Sequence, residues 1–231
     1  MNGILLVNKP IDFTSRDVVN KLTKILKTKK VGHTGTLDPI ATGVLVVCVG
    51  NTTKLCELLT SEHKEYIATI KLGIKTDTLD TTGTIIEEKD YNVTEEQIIE
   101  VLNSFLGDSI QTTPIYSAVK VNGKKLYEYA REGIEVELPK RNINISNIEL
   151  LSYKDDEIKF KTTVSKGTYI RALIDDICTK LNTVGTMSSL IRTKQGQFTL
   201  EQTFTLEDIE NGKYELISIE KALSEIETIT I

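Results

Sequence analysis

Polar and apolar residues alternate most regularly in "KEYIATIKLG" (64–73), where Tyr66, Ala68, Ile70 and Leu72 share one side and Thr69 and Lys71 lie among those on the other. A period of two predicts a half-buried strand. "GILLV" (3–7) and "GVLVVCVG" (43–50) are unbroken apolar runs, which predict strands buried on both faces. Helical spacing replaces these patterns in "TSRDVVNKLTKILK", with Ser15 as the expected N-cap and Val18, Leu22, Ile25 and Leu26 on one face. A second helix is predicted over 94–106, with a Thr94/Gln97 capping box, a Val93/Ile98 staple and Gly107 as its stop. A third is "TYIRALIDDICTKL", with Ile170, Leu173, Ile174, Ile177 and Leu181 inward. "TTKLCELLT" reads as a short helix, and "TIIEE" as a strand after the turn-rich "TDTLDTTG". Asn122-Gly123 marks a hairpin, followed by a helix that Gly133 ends. Residues 141–153 and 157–164 read as paired strands, and strand signals return at 187–198. Hairpins outnumber strand–helix alternation, so the expected class is α+β, a large and mostly antiparallel sheet with flanking helices.

The 231 residues contain no repeat and no low-complexity linker, which predicts one domain over 1–231 with 198–231 packed on it as an acidic terminal segment. No apolar run is long enough for a membrane span or a secretory signal, so no membrane partner and a cytoplasmic location are expected. Cys48, Cys56 and Cys178 form no CxxC pair, and with only two histidines a metal site is not expected. The net charge of −5 argues against a nucleic-acid partner until its distribution is considered. Residues 198–231 hold eight acids against two bases, whereas 18–37 hold Lys21, Lys24, Lys27, Lys29 and Lys30 and no acid. Such lysines suit either a solvated helix face or contacts to a phosphate backbone.

That basic stretch leads into "VGHTGTLDPIATG" (31–43), too rich in turn formers for a helix and too broken for a strand, with Asp38 as its sole carboxylate. The loop is neither GxxxxGK[ST] nor GxGxxG, and its nearest downstream acids are Glu57 and Glu62, too distant in sequence for an aspartyl-phosphate cluster. No GxSxG supports a Ser/His/Asp triad. A lone loop carboxylate can serve as nucleophile or base if a cation keeps it ionised. Arg171, set among apolar residues in "TYIRALI", is the best-placed partner by sequence, although a helix cap or a core salt bridge would suit it equally well.

"GHTGTLDPIATGVLVVCVGNTTK" resembles the signature loop of the TruB-type tRNA pseudouridine synthases, which make pseudouridine in the T loop. "NKPIDFTS", "KEYIATIKLGIKTDTLDTTG", "TPIYSAVKVNGKKLYEYAREG", "SKGTYIRALIDDI" and "SSLIRTKQGQF" follow in the family's order, and the resemblance covers roughly residues 2–223. It implies a pseudouridine synthase fold and isomerisation of the uridine at tRNA position 55, with the target base flipped out and no cofactor. It makes Asp38 the catalytic aspartate, Tyr66 the tyrosine stacked on the base and implicated in proton transfer, and Arg171 the aspartate's partner. Leu190 would line the pocket, His33 would pack into the T loop where the uridine has left, and Tyr169 would stand near the same pocket. Lys9 and Pro10 match a supporting motif. With Lys27, Lys29 and Lys30 on phosphates, the expected partner is the T stem-loop of tRNA, bound by a monomer. Asn8 and Asp12 depart from the usual Asp and Gly around Lys-Pro, and the family's usual C-terminal RNA-binding domain is expected to be absent or truncated. A tRNA-binding folding chaperone without catalysis, and more distantly a phosphate-binding metabolic enzyme, are the alternatives; the intact Asp38, Tyr66 and Arg171 speak against the first.

Overall fold

A computed structural model of the chain describes residues 1–56 and 63–227. In chain order the elements are β1 (Gly3–Lys9), α1 (Ser15–Ile25), β2 (Val31–His33), β3 (Ala41–Val49), a 3₁₀ turn (Gly50–Leu55) and β4 (His63–Leu72). There follow β5 (Ile74–Thr76), β6 (Ile85–Glu88), α2 (Glu95–Asn103), β7 (Gly107–Thr112), β8 (Lys120–Val121), β9 (Lys124–Lys125) and α3 (Leu126–Glu132). The chain continues through β10 (Lys140–Lys154), β11 (Glu157–Ser165), α4 (Ile170–Lys180), β12 (Gly185–Gln195), β13 (Phe198–Thr199), α5 (Leu206–Glu210) and α6 (Ile219–Glu227). Two compact units result, Met1–Ile67 with Leu190–Ile231, and Ala68–Ser189.

In the first unit β3 pairs antiparallel with β1 and β2 and parallel with β12, and β4 lies on the far side of β12. The two apolar runs are β1 and β3, and each is buried on both faces as their patterns require. Leu5, Val7, Leu45, Val47 and Val49 pack with Val18 and Leu22 of α1 and with Leu206 and Ile209 of α5. Ile4, Leu6, Val44, Val46 and Cys48 form a second cluster with Phe198 and Ala222. In the second unit the sheet runs β12-β4-β11-β10-β7, and β5-β6 and β8-β9 are separate hairpins. Here α2 packs on β10, and α4 packs on β7 and α2.

The α+β class and the large, mostly antiparallel sheet are observed, and the β3/β12 pair within it is parallel. The Thr94/Gln97 box forms as expected, but α2 closes at Asn103 and the chain reaches β7 through Gly107 at φ 95. The expected helix over 52–60 is seen only as the 3₁₀ turn, because 57–62 lie outside the described residues. Ser15 is not the N-cap of α1: Thr14 is, in a reciprocal box with Asp17, which leaves the Ser15 hydroxyl for another task. The sequence places a capping residue at both positions, and Asp17 three residues on selects Thr14. Asp12 takes φ 64, the left-handed conformation its glycine-like position demands, which a short polar side chain tolerates.

Candidate active site

The loop that carries Asp38 is shorter than its composition suggests. Val31–His33 pair with β3 and Ala41 begins it, so only residues 34–40 lack regular structure. Several backbone groups around Asp38 are fixed. The Leu37 N–H donates to the buried Ser15 hydroxyl (2.9 Å), which donates back to the Leu37 carbonyl (3.3 Å). Pro39 O accepts from the Asp12 N–H (2.9 Å) and from Lys9 Nζ (3.2 Å), and Asp38 O from the Ala41 N–H (3.0 Å). Gly35 O accepts from Arg192 (3.1 Å), and Thr34 Oγ1 from Gln195 (2.5 Å). A loop held at these points fixes the backbone that carries the Asp38 carboxylate.

Lys9 is wholly buried at the end of β1, and its ammonium also donates to the carbonyls of Pro10 (2.9 Å) and Phe13 (2.5 Å). Burial pulls it from the usual lysine value down to about 8, against the opposing pull of Asp38. Its role is thus to tie the 10–13 turn to the Asp38 loop. Tyr66 (6% exposed) stands on β4, and Leu190 on the neighbouring β12, opposite Ala41 in the parallel ladder. Burial, with Arg192 and Arg16 nearby, lowers the proton affinity of His33 from its ordinary value. Of the basic stretch, Lys30 donates to Asn51 (3.2 Å) and Lys21 pairs with Glu210 (3.4 Å), while Lys27 and Lys29 are exposed at the end of α1.

Arg171 and Tyr169 belong to the second unit, at the start of α4. Arg171 is 5% exposed; Nη1 donates to Thr78 O (2.8 Å), Nη2 to Tyr116 O (3.0 Å), and Nε stands 3.9 Å from Asp80 Oδ2. Asp80 is itself held by the hydroxyls of Thr78 (2.9 Å) and Thr82 (2.5 Å) and the Thr82 N–H (3.0 Å). Gln111 clasps both backbone groups of Tyr169, at 2.8 and 3.0 Å, and the Arg141 guanidinium stacks 5.1 Å from the tyrosine ring. Asp80, Ser15 and Arg192, which hold Arg171 and the Asp38 loop, are supporting positions that pattern reasoning missed. The "TLDTTG" run was a signal for Asp80, since threonines flanking one acid build a turn around it. Among the described residues no group of three His, Cys, Asp or Glu could hold a metal ion, and no helix is long and apolar enough to cross a membrane.

The large mixed sheet with flanking helices is a fold shared with a solved pseudouridylate synthase, which covers 97% of this chain at 16% identity. A crystal structure of a Cbf5-Nop10-Gar1 complex superposes with a TM-score of 0.75 at 30% identity, over 96% of this chain and 62% of that one. An H/ACA RNP bound to a substrate RNA containing 2'-deoxyuridine gives 0.73 at 30%, over 96% and 61%. This chain therefore spans about three fifths of those longer chains. Residues 23–170 match the model of the TruB family pseudouridylate synthase N-terminal domain, and 171–228 that of the tRNA pseudouridylate synthase B C-terminal domain. The tRNA pseudouridine synthase B of Clostridium tetani is 50% identical over 100% of this chain and 81% of its own length, and that of Bacillus subtilis 48% over 98% and 77%. The chain belongs to the TruB family of pseudouridylate synthases. It is an isomerase that converts uridine in tRNA to pseudouridine.

Proposed function

We propose that the substrate is the uridine at position 55 in the T loop of tRNA, and that Asp38 is the reacting carboxylate. The observation that carries this is the Asp38 loop. It bears one acid, whose neighbours on both sides have their backbone groups fixed by Ser15, Lys9 and Asp12. Conversion to pseudouridine breaks N1–C1′, turns the uracil over and joins C5 to C1′; the C5 proton leaves and N1 gains one. Nothing is oxidised or consumed, so the reaction itself calls for no cofactor. It calls for an ionised carboxylate beside the ribose, an apolar wall for the detached base and a group for the C5 proton. Asp38 supplies the first, Tyr66 with Leu190 the second, and the Tyr66 hydroxyl the third.

The uridine must leave its stack, at a cost of a few kcal/mol. His33 filling the vacated place offsets part of that cost. Arg171 serves in this reading as the fixed cation of the reaction. Its support is a guanidinium fixed in orientation by Thr78, Tyr116 and Asp80. Lys27, Lys29 and Lys30 meet phosphates of the T stem, and a cytoplasmic monomer suffices for the whole cycle. The test is incubation with an unmodified tRNA transcript followed by mapping of pseudouridine at single-nucleotide resolution. Product confined to the T-loop uridine is expected; binding without product would favour a folding chaperone, and product elsewhere would refute the assignment of substrate.

A further inference from the structure

Arg192 lies on β12, two residues after Leu190, and is 0% exposed. An arginine stays charged at any accessible pH, so burying it is costly unless its donors are well placed. Two of them are: Nε donates to Val44 O at 2.7 Å and Nη2 to Gly35 O at 3.1 Å. Those carbonyls flank the Asp38 loop: Gly35 lies at its entry, and Val44 is the fourth residue of β3, which follows it. The backbone of Arg192 closes the same loop independently, because it is the ladder partner of Gly43. Gly43 sits at φ 100, and a Cβ there would stand 2.3 Å from Arg192 O, so only glycine lets the strands meet. The guanidinium thus crosses the base of the loop.

We propose that Arg192 is a positioning residue of the reaction: its buried guanidinium staples the two ends of the Asp38 loop and so fixes the carboxylate against the ribose without touching RNA. The inference rests on the reading of Asp38 as the reacting carboxylate. Its reach is set by geometry, since a displacement of about 1 Å at a reacting group costs on the order of 10²-fold in rate. A lysine keeps the charge but cannot present two fixed donors to carbonyls on different strands.

The experiment compares wild type, Arg192→Lys, Arg192→Gln, Arg192→Ala and Asp38→Asn on one T-arm RNA hairpin, with single-turnover rate, RNA affinity and unfolding midpoint measured for each. Arg192→Lys and Arg192→Gln are expected to lose on the order of 10²-fold in rate at saturating RNA, with affinity within about threefold of wild type. Guanidinium well below denaturing concentrations should raise the rate of Arg192→Ala and leave wild type unchanged. A residue with a merely structural task would lower the unfolding midpoint and leave the rate per folded molecule unchanged. Wild-type rates in folded Arg192→Lys and Arg192→Gln would overturn the proposal, and so would failure of both to fold even with RNA bound. A wild type that makes no pseudouridine, or an Asp38→Asn that makes it at the normal rate, would instead overturn the reading of Asp38 and this inference with it.

Discussion

Replacing Ser15, a residue 1% exposed, with alanine removes a single oxygen from beneath the loop. That oxygen accepts from the Leu37 N–H at 2.9 Å, and it donates at the longer distance of 3.3 Å to Leu37 O. Leu37 is itself buried, so water does not readily replace the hydroxyl. Leaving a buried backbone group unpaired costs about 1–3 kcal/mol, and the long second bond adds little, so about 2 kcal/mol is expected. For a chain of this size that is a fall of about 4–8 °C in Tm. Leu37 directly precedes Asp38, so the same change should slow catalysis by roughly 10–100-fold, on the scale of an ångström's misplacement. Urea unfolding gives the first quantity. Single-turnover release of tritium from tRNA labelled at uridine C5 gives the second. Thr14→Ala is the control: it removes the true N-cap at a cost of about 1 kcal/mol and should leave the rate alone. If Ser15→Ala is as active as Thr14→Ala, the loop does not depend on that hydroxyl and the reasoning fails.

Arg171→Lys retains the charge but loses the fork that spans Thr78 O and Tyr116 O, and kcat should fall by about 10²-fold or more; a near-normal kcat in steady-state assays would return Arg171 to a purely structural role. Lys9 bears on stability through pH. Its folded value of about 8 lies below the ordinary 10.5, so below about pH 8 the residue is charged in both states and burial weighs on the folded one. Between the two values the unfolded chain holds a proton that the folded chain has released, so stability rises with pH. Relative to Lys9→Met, wild type should gain up to about 3 kcal/mol from about pH 7 to about pH 10 in urea titrations, and a flat difference would contradict the burial argument. Changing Lys27, Lys29 and Lys30 together to glutamine should weaken tRNA binding and flatten its salt dependence, by roughly 0.7–0.9 in slope for each phosphate that is no longer neutralised. An unchanged slope would return these lysines to a solvated face.

Much of the fold was legible from pattern because the pattern records burial. The unbroken runs at 3–7 and 43–50 are buried on both faces, and the Thr94/Gln97 box and the Asn122-Gly123 turn are local devices that need no distant partner. Asp38 was legible as the sole acid of its loop. What supports it was not, because those partners are remote in sequence: Ser15 meets Leu37 across 22 residues, and Arg192 meets Gly35 across 157. In "LIRTKQG" Arg192 reads as one more polar position on an alternating strand, and only the parallel approach of β3 to β12 encloses it. Ser15 reads as a cap because capping and loop anchoring ask for the same hydroxyl. Asp80 was passed over as part of a turn-rich loop, since a turn-forming acid and an arginine's anchor have the same local composition.

The most direct test of the central claim is the amount of pseudouridine formed at the T-loop uridine of an unmodified tRNA by wild type and by Asp38→Asn, at equal occupancy of RNA. Asparagine keeps the shape of the side chain but can act neither as nucleophile nor as base. Full conversion by wild type is expected, with none detectable for Asp38→Asn despite unchanged tRNA affinity and unfolding midpoint. A rate for Asp38→Asn within tenfold of wild type, about 1.4 kcal/mol in barrier, would show that the carboxylate on this loop is not the group that carries the reaction.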